Sequence, residues 1–95
     1  MITRALSIRS PYAEEIMAGS KQVEYRTWRP RVAPGRIAVH RSGKGGAIIG
    51  TVEVYEITGH DGDWEWHLRA PRPCEPIPIK GRLNLWHLPE GIELD

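Results

Sequence analysis

Residues 6–28 read LSIRSPYAEEIMAGSKQVEYRTW, and the pattern changes twice inside them. Residues 2–9 (ITRALSIR) have the apolar content of a strand. Ser10–Pro11 then predicts a helix start, with Ser10 as N-cap and Pro11 at the first helical position. The helix is expected to run to Ala18, to turn Ala13, Ile16 and Met17 inward, and to stop at Gly19 in the left-handed C′ role. Glu14 and Glu15 lie near its positive end, where carboxylates are favoured. Residues 22–28 (QVEYRTW) alternate as a half-buried strand. Val23, Tyr25 and Thr27 fall on one side, and Glu24, Arg26 and Trp28 on the other.

The densest chemistry lies across the second change of pattern, in Gly19-Ser20-Lys21-Gln22-Val23-Glu24-Tyr25-Arg26. Lys21 stands where the helix gives way to the strand. Glu24 and Arg26 share a strand face because side chains alternate with period two. A lysine brings a compact charge and an arginine a planar fork, so the group suits a polar ligand. The same residues also suit an ordinary surface salt-bridge cluster, which contributes little stability. Lys21 becomes a nucleophile or base only where burial or a nearby cation lowers its pKa.

Outward from this stretch the chain turns to β patterns. Arg29 to Gly35 is a proline-bearing loop, and residues 36–42 (RIAVHRS) form a third strand. Ser42 to Gly46 is a glycine-rich turn. Its glycine-lysine core lacks the full phosphate-loop spacing and reads as a hairpin turn. Residues 47–57 (AIIGTVEVYEI) carry the longest strand signal, with Gly50 at a bulge or bend. Gly59 to Gly62 turns again. Trp64 to Ala70 is expected to be a short helix halted by Pro71, and Pro71–Pro78 an extended, irregular run. Residues 81–88 (GRLNLWHL) supply the last strand. Short, mostly helix-free connections favour antiparallel pairing in a small, strongly curved sheet or barrel.

A length of 95 residues matches one domain, spanning 1–95. The formal charge of +1 excludes a uniformly basic coat, yet its distribution is dipolar. Residues 1–44 hold nine basic and three acidic side chains, and residues 45–95 hold four and nine. Arg26 to Lys44 contains six cations and no anion. With four Trp, three Tyr and no Phe, large rings must supply much of the core. The single cysteine, Cys74, cannot close an internal disulfide, and the four histidines show no short ligand pair, so neither a metal nor a cofactor is expected. No apolar run approaches the 18 residues of a membrane helix, and the N-terminus lacks a secretion pattern. The expectation is a reduced, cytoplasmic protein away from membranes, monomeric by default.

The run from Leu6 to Trp28 resembles the start of the ASCH domain, named for homology to activating signal cointegrator-1, in the PUA-like superfamily. That family's signature is Gly-x-Lys-x-x-Glu-x-Arg, and Gly19, Lys21, Glu24 and Arg26 fill its fixed positions. Leu6-Ser7, Pro11-Tyr12-Ala13 and Trp28 match the flanks. Gly35-Arg36-Ile37, Ile48 to Val52, Pro76-Ile77, Lys80-Gly81 and Leu85-Trp86 continue the likeness over nearly the whole chain. The resemblance implies a mainly β (α+β) fold, a five- to six-stranded PUA-like β-barrel with one or two flanking short helices. It implies a cleft lined by the signature and a function in binding RNA or acting on nucleotides. Some similar bacterial proteins remove acyl groups from N4-acylated cytidine, and ribonuclease activity is attributed to others. Those amidohydrolases carry a threonine three residues after the lysine and a separate downstream glutamate. Here Glu24 occupies the threonine's place, and Glu65 and Glu75 are the downstream candidates.

Three functions follow. The first is an RNA- or nucleotide-binding module that favours single strands. It would use Arg9, Tyr12, Lys21, Glu24, Arg26, Trp28, Arg29 and Arg41, with Arg31, Arg36 and Lys44 also available to phosphates. Trp28 and Tyr12 are the stacking candidates, and Ser7 can orient the Lys21 region by a hydrogen bond. The second is a nucleoside-directed hydrolase with Lys21 and Glu24 as its catalytic pair. The third is a protein-interaction module built on the acidic half and the proline run. Trp86 reads as core, Trp64 and Trp66 as pins for the short helix, and the four histidines as core or surface.

Overall fold

Helix appears once in the computed structural model, which describes residues 1–94; the remaining elements are strands. Their order is β1 (Arg4–Arg9), α1 (Tyr12–Ala18), β2 (Val23–Arg26), β3 (Gly35–Ser42), β4 (Ala47–His60), β5 (Asp63–Pro78) and β6 (Leu85–His87). The six strands form one sheet ordered β2-β5-β4-β3-β1-β6, curled into a half-barrel. Pairing is antiparallel except between β1 and β3, which run parallel from Ala5 opposite Ala38 to Arg9 opposite Ser42. Parallel neighbours need a long crossover, and α1, β2 and the following loop supply it.

The inner face holds the larger core. Leu6, Ile8, Ile37, Val39, Val52, Val54, Leu68 and the fully buried Trp66 pack with Ala13 and Ile16 of α1, and Met17 lies against them. Ala5, Ala38, Ile48 and Trp86 form a second cluster, against which Ile77, Ile79, Leu88 and Ile92 pack. Trp86 is core, as its sequence context suggested.

The entry to α1 differs from expectation. The helix begins at Tyr12 with Pro11 in the cap position and no side-chain capping bond. Ser10 Oγ instead donates to the Glu14 carboxylate, at 2.8 Å from Oε2. The exit matches the reading: Gly19 is left-handed (φ 83°), and its N–H reaches the Ile16 carbonyl.

Two corrections concern β5. Residues 64–70 are strand rather than helix, and the proline run 71–78 continues the same strand. Trp64, Trp66 and Leu68 recur at period two, so a strand buries all of them on one side, where a helix would spread them around its axis. The prolines are tolerated because β2 covers β5 only from Trp64 to His67. Beyond that point one side of β5 is a free edge that needs no N–H. Register shifts in the β4–β5 ladder accommodate the run, one of them spanning Ile48 and Gly50. At Gly50 a Cβ would strike Met17 Sδ and the Arg72 carbonyl, so glycine is required for close approach.

Candidate functional site

The sheet does not close between β1 and β2. β1 is flanked by β3 and β6, whereas among the described residues β2 pairs only with β5. β6 covers β1 from Arg4 to Leu6 and stops there. At the next residue Arg26 takes over: its Nη2 donates to the Ser7 carbonyl at 3.0 Å, so a guanidinium bridges the seam where a strand is missing. A cleft of about 550 Å³ lies along this seam, lined by Arg9, Tyr12, Lys21, Glu24, Tyr25, Arg26 and Trp28 together with Ser7 and Ser42.

Glu24 is the centre of the cleft's charge. It is only 8% exposed. Its Oε2 accepts from Arg26 Nε at 2.9 Å, and its Oε1 stands 3.5 Å from Lys21 Nζ. A carboxylate this buried is tolerable because cations meet both oxygens. The period-two reading of β2 holds, since Glu24, Arg26 and Trp28 do share a side. That side, with its charges, is the inward one, while Tyr25 is exposed. Trp28 anchors it, packing edge-on against Trp66 with ring centroids 5.0 Å apart.

Lys21 is placed by the end of the helix, where its N–H and that of Ser20 both bond the Glu15 carbonyl. Its Nζ lies 5.4 Å from the Tyr12 ring and 5.3 Å from the Tyr25 ring, within cation–π range of both. Arg9 approaches Tyr12 from the other direction, at 5.8 Å. The cleft therefore sets three cations and three rings against one carboxylate.

Six of the eight ligand-binding candidates thus converge: Arg9, Tyr12, Lys21, Glu24, Arg26 and Trp28. Arg29 and Arg41 do not line the cleft. Arg29 donates to the Pro30 and Arg31 carbonyls and covers the Trp64 ring at 4.9 Å, and Arg41 donates to the Gly45 carbonyl. Arg36 bonds Thr51 Oγ1 and the Ala70 carbonyl, and burial together with Arg72 lowers its pKa. Glu65 accepts from Thr58 Oγ1, and Glu75 is exposed; neither lines the cleft. Among the described residues no cluster of three or more His, Cys, Asp or Glu is arranged to hold a metal.

Sequence reasoning missed a polar network at the end of the seam. Ser7 lies opposite His40 in the β1–β3 register. His40 is buried, with Nε2 2.7 Å from the Ile79 carbonyl and Nδ1 3.1 Å from Ser7 Oγ. A carbonyl only accepts, so Nε2 carries hydrogen, and in the neutral ring Nδ1 accepts the Ser7 hydroxyl. Trp86 Nε1 donates to the same Ser7 oxygen at 3.1 Å. Tyr25 was missed as a cleft residue because the alternation grouped it with Val23 and Thr27, away from the signature face.

The half-barrel wrapped around one short helix, open along a cationic, ring-lined seam, is that of a small PUA-like β-barrel domain. The sequence matches the ASCH domain over residues 6–92, and the chain belongs to that family. Its fold is similar to the crystal structure of ASCH from Zymomonas mobilis, with a TM-score of 0.78 and 18% identity, covering 92% of this chain and 87% of that one. A tyrosine-to-phenylalanine mutant of the same bacterial protein superposes with a TM-score of 0.74 at 17% identity, covering 92% and 90% of the two chains. Its serine-to-alanine mutant gives 0.78 at 18%, covering 92% and 88%. No curated protein matches the chain by sequence. No helix among the described residues is long and apolar enough to cross a membrane.

Proposed function

We propose that the seam cleft binds single-stranded RNA or a nucleotide. In this reading a base lies against the exposed faces of Tyr12 and Tyr25, Arg9 and Lys21 attract phosphate, and Glu24 accepts from a base amino group or ribose hydroxyl. The observation that carries it is the convergence of three cations and three rings, from β1, α1, β2 and the segments either side of β2, on one buried carboxylate. Stacking on rings is sequence-tolerant and worth about 1–3 kcal/mol per base, while phosphate contacts supply salt-dependent attraction. Membership of the ASCH family supports the same conclusion. The test is titration with a short single-stranded RNA at low and moderate salt. Binding should weaken as salt rises, and both Arg26→Ala and the exposed Arg9→Ala should reduce it. Absence of binding at low salt, or binding indifferent to both substitutions, overturns the proposal.

The Lys21–Glu24 contact favours a second reading, a nucleoside-directed hydrolase in which Glu24, beside Lys21, orients the water that attacks the substrate. N4-acetylcytidine and unstructured RNA are the substrates to try. Turnover must exceed that of a Lys21→Ala protein for this reading to stand.

A further inference from the structure

The seam continues past Arg26 into a second and larger chamber of about 800 Å³, formed where residues 78–84 approach the end of β1 and the 42–46 turn. Ser7, Arg26 and Ser42 line both chambers, so Arg26 stands on their common wall. The volume is that of sites which enclose small organic ligands, about 300–1,000 Å³. We propose that this chamber receives a second nucleotide, so that the cleft takes two consecutive nucleotides of one strand with Arg26 facing the phosphodiester between them. The inference rests on the reading of the first chamber as a nucleotide site, and adds to it a second subsite that favours a strand over a free nucleotide.

Three observations carry it. The first is chemical: Pro78, Ile79 and Leu83 offer apolar surface, with Leu83 88% exposed, and the exposed Lys80 and Arg82 add positive charge. No acidic side chain occurs among the described residues that line the chamber. Single-stranded nucleic acid alternates flat apolar bases with anions, and the cleft repeats that alternation. Rings precede Arg26, and an apolar wall with two further cations follows it.

The second observation is that the chamber is already built. His40 Nε2 holds the Ile79 carbonyl at 2.7 Å, which fixes the start of the 79–84 segment. Gly81 packs so closely on Ser7 and His40 that a Cβ there would collide with Ser7 Oγ and the imidazole. Ile79 and Gly81 are therefore fixed before a ligand arrives, which favours affinity. The third is continuity: the chambers share the Arg26 guanidinium, whose Nε and Nη2 are held by Glu24 and the Ser7 carbonyl while Nη1 takes no part in those bonds and is left for a phosphodiester.

The test uses the full chain, labelled with nitrogen-15, and the dinucleoside monophosphates ApA, CpC, GpG and UpU against the matching nucleoside 5′- and 3′-monophosphates. A terminal phosphate carries more charge than a phosphodiester, so simple attraction to Arg26 favours the mononucleotides. At least one dinucleoside monophosphate should nonetheless bind about tenfold tighter than both of its mononucleotides. It should also shift the amides of Gly43, Gly46 and residues 79–84. The surface variant K80A/R82A should abolish that advantage, bringing the dinucleoside monophosphate to the affinity the same variant shows for the mononucleotides. Equal affinity for both ligand classes, with shifts confined to the Tyr12, Lys21 and Tyr25 side, overturns the second subsite and leaves the first standing. If no ligand of either class binds, both readings fail.

Discussion

Among the described residues two carboxylates meet arginine, and they differ sharply in setting. Glu24 lies at the seam, 8% exposed, between Arg26 and Lys21 and opposite Trp66 in the β2–β5 register. Glu53 lies on β4 with Arg69 across the ladder on β5, in an arrangement more open to solvent. Each carboxylate accepts from an arginine Nε at about 3 Å, but Arg69 spans both oxygens of Glu53 whereas Arg26 meets Oε2 of Glu24 alone. What differs is what the pair is joined to. Arg26 extends from its carboxylate to the open edge of β1, so the pair forms part of a cavity wall. Arg69 extends only to cover the ring of Tyr55, at 4.4 Å. Burial and topology, more than pairing itself, separate a site from a surface ion pair.

The sharpest way to break the comparison is to remove what draws the Glu24 face inward. Trp66→Ala deletes the fully buried ring on which Trp28 rests and should destabilise the fold by about 3–5 kcal/mol, read as the fall in urea midpoint. Glu24→Ala comes next. It leaves two partly buried cations without their partner and should cost about 1–3 kcal/mol. Glu24→Gln should recover part of that loss by retaining the carbonyl acceptor. An Ala variant as stable as the parent would mean that Glu24 is no more embedded than Glu53.

The smallest effect belongs to the exposed pair. Hydrogen bonding from Arg69 holds the Glu53 carboxyl below its ordinary value. The pair's contribution is therefore complete above the ordinary carboxylate pKa and is lost as pH falls through the lowered, folded one. Glu53→Gln should leave the urea midpoint nearly unchanged near neutrality, and the small difference from the parent should vanish in acid. A large loss at neutral pH would erase the distinction between the two clusters.

The part of the site that local rules control was legible in the sequence. Gly19 ends the helix in a left-handed turn that places Lys21, and period-two alternation puts Glu24, Arg26 and Trp28 on one side of β2. The direction that side faces was not legible. It depends on Trp66, which lies on β5, where a short helix stopped by Pro71 was expected. The basic stretch from Arg26 to Lys44 promised a continuous phosphate track. Arg29, Arg36 and Arg41 instead find carbonyls nearby, and only Arg26 reaches the cleft. Ser7, His40, Lys80 and Arg82 meet through the parallel β1–β3 register and the return of residues 78–84, contacts spanning more than thirty positions that no local pattern encodes.

The central claim is that nucleic acid enters the seam and not the Glu53 face. Titration of one short single-stranded RNA against two exposed double variants decides it most directly. R9A/Y25A alters the seam, and R69A/R72A removes equally exposed cations from β5. R9A/Y25A should weaken binding about tenfold or more, whereas R69A/R72A should stay within about twofold of the parent. The reverse order, with affinity lost on β5 and kept at the seam, would contradict it.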